Sequence, residues 1–104
     1  MTAFLIVTYD ITDAELYAQY NPGSNHITGR TIAKHGGELI VATNDGIQPS
    51  GDKAEMKVII QFPSRDAAQA WHDDPEYAEV KAIRLASTNN VNTFIVDKFA
   101  MPSE

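Results

Sequence analysis

The segment Ala3–Ile11 constrains the fold more than any other part of the chain. It is rich in β-branched and aromatic residues, which favour a β-strand. Successive side chains of a strand point to opposite faces of its sheet. One face of this segment carries Ala3, Leu5, Val7 and Tyr9, and the other carries Phe4 and Ile6. Because both faces are apolar, this strand needs cover on both sides of its sheet.

Three further segments have strand character: residues 39–43, Met56–Phe62 and residues 91–99. The second alternates between one fully apolar face and one mixed face, as in an inner strand with one side in the core. In the last, Phe94 and Val96 share one face. The long connection over residues 44–53 is dense in turn residues and predicts a loop.

Helical patterns fill the remaining stretches. Residues 13–20 and 24–35 form the first helical region, broken at residues 21–24 by Asn-Pro-Gly-Ser and ended by Gly36 and Gly37. Ser64 caps the next helix, and Asp74 followed by Pro75 begins another. The order βαββαβ predicts an α+β ferredoxin-like fold, a four-stranded antiparallel sheet with the helices on one face. With 104 residues, we expect one domain over residues 1–104.

The other face of this sheet has no cover in its own chain. An apolar face of this kind calls for a partner, and a second copy of the chain is the simplest one. We therefore predict a homodimer formed through the sheet face.

A set of short motifs carries a family resemblance. They are Asp13 with Tyr17 and Tyr20, His35-Gly-Gly, Phe62-Pro-Ser64, Ala67-Ala-Gln-Ala-Trp71, Asp74-Pro-Glu-Tyr77 and Ile83-Arg84. In this order they resemble the family known as domain of unknown function 1330, in the dimeric α/β-barrel superfamily. The resemblance implies a dimeric barrel. The superfamily also includes cofactor-free monooxygenases, lactone isomerases, haem-degrading enzymes and stress-responsive proteins.

Composition excludes several functional classes. The net charge of −6 opposes binding to nucleic acid or to an anionic membrane, and no cysteine is available as a nucleophile or metal ligand. His26, His35 and His72 lack the spacing of a metal site, and His72 is expected at a solvated helix end. We therefore predict no metal and no cofactor. No stretch has the length of a signal-peptide core or a membrane span, so we expect a cytoplasmic protein with neither nucleic-acid nor membrane partners.

One group of side chains suggests a ligand site between the helices and the sheet. Arg84 shares a helix face with Tyr77 and Val80, so it points toward the sheet, where a guanidinium can bind a carboxylate. The candidate ligand-binding residues are Tyr17, Tyr20, His35, Trp71 and Arg84. Each has a structural alternative: an ion pair of Arg84 with Asp10 or Asp97, helix capping by His35, and core packing by the aromatic rings.

Three functional hypotheses follow from this group. The first is a dimer that binds a small apolar or anionic organic molecule between helices and sheet. The second is an enzyme resembling the cofactor-free monooxygenases or isomerases, with His35 or a tyrosine as general base and Arg84 stabilising an anion. The third is a structural or regulatory dimer without a ligand.

Overall fold

The computed structural model describes residues 1–20, 26–51 and 54–100. Strand β1 (Ala3–Ile11) has the predicted bounds. The other elements follow in chain order: α1 (Ala14–Tyr20), α2 (His26–Lys34), β2 (Glu38–Thr43), β3 (Met56–Phe62), α3 (Arg65–His72), α4 (Pro75–Ala86) and β4 (Thr88–Asp97). None of the helices in these ranges combines the length and the apolar character needed to cross a bilayer. The predicted break at residues 21–24 lies outside the described residues.

The four strands form one antiparallel sheet in the order β2-β3-β1-β4. This arrangement confirms the predicted α+β ferredoxin-like fold. Strand β1 lies inside the sheet between β3 and β4, and β4 forms one edge. The register pairs Ile6 with Ile59 on one side and with Phe94 on the other.

The hydrogen bonds at the helix ends show why the capping residues predicted these ends correctly. Ser64 Oγ accepts a hydrogen bond from Ala67 N at 3.1 Å, and Asp74 Oδ1 accepts one from Glu76 N at 2.9 Å. At the end of α2, Gly36 adopts φ of 76° and donates to Ala33 O, while Gly37 N donates to Ile32 O. This pair of bonds is a Schellman motif, whose left-handed position favours glycine.

Strand β4 begins three residues earlier than predicted, at Thr88 instead of residue 91. Its first residues are polar, and Asn90 has a φ of 52°, a conformation that asparagine tolerates better than most residues. The register with β1 shifts between Thr8 and Asp10, which marks a bulge. Polar residues around a bulge resemble a turn in sequence, which is why the prediction began the strand too late.

The two faces of the sheet differ in cover. The core lies between the helices and one face, where Leu5, Val7 and Tyr9 of β1 pack with Tyr20, Ile32, Trp71 and Tyr77 from the helices. The opposite face, here called the open face, has no helix over it in the described part of the chain. Its apolar residues are Phe4, Ile6, Val41, Ile59, Phe94 and Val96. Phe94 is 52% exposed and Val96 is 41% exposed.

Candidate functional site

A small cavity lies between the helices and the sheet. Its lining comes from β1, β3, α1, α3 and α4: Leu5, Val7, Tyr9, Tyr20, Val58, Ile60, Trp71, His72, Tyr77 and Arg84. The centre of a water molecule can occupy about 10 Å³ of this cavity. This is room for about one water molecule or a group of similar size.

Arg84 brings a positive charge to this cavity. The helical spacing that places Tyr77, Val80 and Arg84 on one face turns all three inward, and Arg84 is only 4% exposed. Among the described residues, nothing accepts a hydrogen bond from its Nε or Nη1. Its guanidinium carbon lies 5.5 Å from the centre of the Tyr9 ring, within the range of a cation–π contact.

The predicted alternative for Arg84 was an ion pair with Asp10 or Asp97. Within the described ranges, the structure gives both carboxylates other partners. Asp97 Oδ1 lies 3.0 Å from Arg65 Nε. Asp10 Oδ1 accepts a hydrogen bond from Glu55 N, and its Oδ2 accepts one from Asn90 Nδ2. Neither carboxylate therefore neutralises Arg84, and a buried cation without hydrogen-bond partners is unfavourable.

All four tyrosines of the chain lie around Arg84 in two hydrogen-bonded pairs. The Tyr9 and Tyr17 hydroxyls are 2.6 Å apart, and those of Tyr20 and Tyr77 are 2.9 Å apart. Burial raises the pKa of Tyr9, Tyr17 and Tyr20 above the usual value of 10.0. These phenols therefore stay protonated near neutral pH. In each pair one hydroxyl donates to its partner, and the accepting hydroxyl keeps a proton that it can donate to another group.

Trp71 forms one wall of the cavity. Its ring stacks on Tyr77 with centroids 4.3 Å apart, and its Nε1 donates a hydrogen bond to Thr31 Oγ1 at 3.0 Å. This hydrogen bond satisfies the buried indole and holds the ring in one orientation. Tyr20, Trp71 and Arg84 are thus brought together at the cavity, and Tyr17 joins them through Tyr9.

His35 is not brought to this site. Its Nε2 lies 2.7 Å from Asp74 Oδ2, at the junction of the α2 C-terminus and the α4 N-terminus. Lys34 Nζ binds the same carboxylate oxygen at 3.0 Å. The hydrogen bonds from His35, Glu76 N and Lys34 lower the pKa of Asp74 to about 2. His35 therefore belongs to a polar contact between helices, at a distance from the cavity lining.

His72 occupies the place in the lining that His35 was expected to take. It is the last residue of α3, at a helix end as expected, and its side chain is 30% exposed, so this end is only partly solvated. Burial, together with the positive charges of Lys81 and Arg84, lowers the pKa of His72. Its spacing of four residues from the buried Ala68 was the available sequence signal, since residues i and i+4 share a helix face.

The cavity lining thus combines a guanidinium, phenol hydroxyls and an imidazole. A guanidinium with unpartnered N–H groups and protonated phenols can stabilise a carboxylate or another oxyanion, and a neutral imidazole can accept a proton. No cluster of three potential metal ligands occurs among residues 1–20, 26–51 and 54–100.

Comparisons with known proteins bear mainly on the fold. A model of the family described as domain of unknown function (DUF1330) matches residues 2–99. A comparison with curated proteins gives no significant match. A protein of unknown function from Rhodopseudomonas palustris is 17% identical, with a TM-score of 0.74 over 96% of this chain and 84% of that chain.

Two other solved structures have the same fold at lower identity. A dimeric ferredoxin-like protein of unknown function from Bacteroides fragilis is 12% identical, with a TM-score of 0.61 over 93% of this chain and 96% of that chain. An antibiotic biosynthesis monooxygenase-like protein from Nitrosomonas europaea is 10% identical, with a TM-score of 0.63 over 92% and 89%.

Proposed function

Since this chain belongs to the DUF1330 family, whose description names no activity, we propose its function from the cavity itself: the protein binds a small organic acid between its helices and its sheet. The observation that carries the proposal is the buried Arg84 guanidinium, whose Nε and Nη1 have no partner in the described part of the chain. A carboxylate at this position would accept the hydrogen bonds that the protein leaves unmade.

The cavity volume defines which part of the acid fits. Space for about one water-sized group admits one oxygen of an acidic head group, while the rest of the molecule must extend beyond the enclosed space. The protonated tyrosines add hydrogen-bond donors and apolar ring surface around the head group. Both features favour a carboxylate attached to an apolar body over a free, strongly hydrated ion.

A thermal shift experiment tests the proposal with acetate, benzoate and hexanoate, each compared with its neutral amide. At about ten times Kd, a ligand that binds the folded state adds about 1.4 kcal/mol to the free energy of unfolding. Each kcal/mol raises the Tm of a domain of this size by roughly 4–8 °C. We expect at least one acid to raise the Tm, and its amide to leave the Tm unchanged.

Two variants separate the site from general charge effects. Arg84→Met removes the proposed partner and should weaken binding of the acids by about 10- to 100-fold. Arg65→Met removes a surface arginine that is 64% exposed, gives the same net charge, and should leave the affinity unchanged. If no acid stabilises the wild type, the result favours the dimer without a ligand. If both variants bind an acid equally well, Arg84 is not the partner of the carboxylate and the proposed site is wrong.

We propose that two copies of the chain associate through the open face. The support is the apolar character of this face, on which Phe94 and Val96 are about half exposed, together with the dimeric neighbour from Bacteroides fragilis. Burial of such a surface favours association. Light scattering at micromolar concentration tests the proposal, and a compact monomer would contradict it.

A second candidate function is an enzyme of the cofactor-free isomerase or monooxygenase type. The observation that favours it is His72, a cavity-lining imidazole whose pKa is lowered, so that it can act as a base beside the positive charge of Arg84. His72 replaces His35 in this role, because the raised pKa values of Tyr9, Tyr17 and Tyr20 keep these phenols protonated at neutral pH. Exchange of the acidic C–H of phenylpyruvate in D₂O, followed by NMR, tests this function: exchange catalysed by wild type and lost in His72→Gln supports it.

A further inference from the structure

A surface groove lies beside the cavity, between α3 and the edge strand β4. Its walls are Gln69 and His72 from α3, and Thr93 and Ile95 from β4. The centre of a water molecule can occupy about 300 Å³ of this groove, compared with about 10 Å³ of the cavity. A groove of this size can hold the body of a small organic molecule.

The floor of the groove continues directly into the floor of the cavity. Thr93 pairs with Val7 across the β1–β4 ladder, and Ile95 pairs with Leu5. Paired residues of neighbouring strands lie side by side on the same face of the sheet. Because Leu5 and Val7 line the cavity, one strip of sheet surface leads from the groove to the space beside Arg84.

His72 lies beside this strip of sheet surface. Its side chain lines both the groove and the cavity, so the imidazole lies between the two. Its Nδ1 is 3.7 Å from Asp73 Oδ1, longer than a hydrogen bond, so this contact does little to fix the ring. The backbone below it is held more firmly, because Lys81 Nζ donates to His72 O at 2.7 Å. Among the described residues, no side-chain hydrogen bond therefore fixes the ring above this backbone.

We infer that the groove between α3 and β4 is the access route to the cavity and holds the body of the bound acid, and that His72 determines which acids pass. This inference rests on the proposed function. It specifies the ligand class as acids with an unbranched or flat apolar body, with the carboxylate at Arg84 and the body along Thr93 and Ile95. Acetate, whose body is a single methyl group, makes the least use of the groove.

Straight-chain acids of increasing length test the route. The probes are acetate, hexanoate and decanoate, and the signal is the fluorescence of Trp71, the single tryptophan of the chain, which lines the cavity. Thr93→Phe fills the groove from the strand side and should weaken binding of hexanoate and decanoate by at least about tenfold, while the acetate affinity stays within about twofold. Ile95→Phe provides a second groove-filling variant if Thr93→Phe does not fold.

His72→Ala tests the role of the imidazole. Removing the ring should raise the association rate of decanoate, measured by stopped flow, by at least about threefold, and should leave that of acetate unchanged. His26→Ala, at the exposed start of α2, is the matched histidine control. Ile40→Phe, at a residue 45% exposed on the opposite edge strand, is the control for added aromatic bulk.

The outcomes separate this inference from the proposed function. If the acids bind in an Arg84-dependent way but the groove variants and His72→Ala behave as wild type, the route is wrong and the site stands. If hexanoate and decanoate bind wild type and Arg84→Met equally, or no acid binds at all, the proposed function fails and this inference fails with it.

Discussion

The hydroxyls of Tyr20 and Tyr77 lie 2.9 Å apart and join α1 to α4. Both residues are almost fully buried, so neither hydroxyl can turn to bulk water when its partner is removed. With Tyr9 and Tyr17, they place the four phenols of the chain next to one guanidinium. The same contacts thus hold the helix layer together and surround the proposed binding site.

A double-mutant cycle on this pair has a defined expectation. Tyr20→Phe or Tyr77→Phe alone leaves one buried hydroxyl without its partner and should lower the free energy of unfolding by about 1–3 kcal/mol. The double variant removes both groups and should lose less than the sum of the two single changes. Urea unfolding at pH 7 provides the values; additive losses would mean that the hydroxyls are not coupled.

Arg84→Met should not destabilise the protein in the absence of ligand. Replacing a buried, unpartnered cation with an apolar side chain of similar length should leave the free energy of unfolding unchanged or raise it by up to about 1–4 kcal/mol. Urea unfolding of both proteins in a buffer free of carboxylates measures the difference. A loss of about 3–5 kcal/mol would instead indicate a broken buried ion pair.

Ile6 and Val7 are neighbours in β1 that should respond in opposite ways to the same substitution. Val7 faces the core at 5% exposure, so Val7→Lys buries a charge and should unfold the chain. Ile6 faces the open side, so Ile6→Lys should keep the fold and separate the proposed dimer. Circular dichroism and light scattering distinguish the results, and a folded, dimeric Ile6→Lys would exclude the open face as the interface.

Asp74 should make the stability of the protein sensitive to acid. Its pKa is lowered from 3.8 to about 2 by His35, Glu76 N and Lys34, so the folded state favours the charged carboxylate. Its contribution is complete above the unfolded pKa and is lost as the pH falls from about 4 to about 2. Lys34, His35 and Glu76 are the charged or titratable groups around it.

Asp74→Asn tests this expectation, because asparagine retains the ability to cap α4 but cannot ionise. The variant should be less stable than wild type at pH 7, and the difference should shrink as the pH falls below about 4. Urea unfolding over this pH range gives both curves. Parallel curves for the two proteins would show that the carboxylate does not contribute through its charge.

The fold could be predicted almost completely because its signals are local. The β-branched and aromatic residues of residues 3–11 indicated β1, and the caps at Ser64, Asp74 and Gly36 marked the helix ends in the places where the structure has them. Helical spacing also predicted correctly that the Arg84 side chain points inward. In each case, the direction of a side chain depends on its own element and its nearest neighbours in sequence.

The positions of the histidines depend on contacts between distant elements, which local sequence signals do not predict. His35 lies at a helix C-terminus in both the sequence and the structure, but its partner Asp74 is 39 residues away, on another helix. His72 gains its position from the approach of β4 and α4 to the end of α3, which no local pattern encodes. The sequence therefore predicted that His35 and His72 lie at helix ends, but not which element lies opposite each of them.

Because the two faces of β1 have different roles, insertions and deletions of single residues within this strand should be rare. Odd-numbered residues of this strand face the core and the cavity, and even-numbered residues face the open side. Inserting one codon within the strand would exchange the two sets beyond that point, moving Tyr9 away from Arg84 and Thr8 toward it. Length variation between relatives should therefore fall in connections such as residues 44–51, where no strand register is at stake.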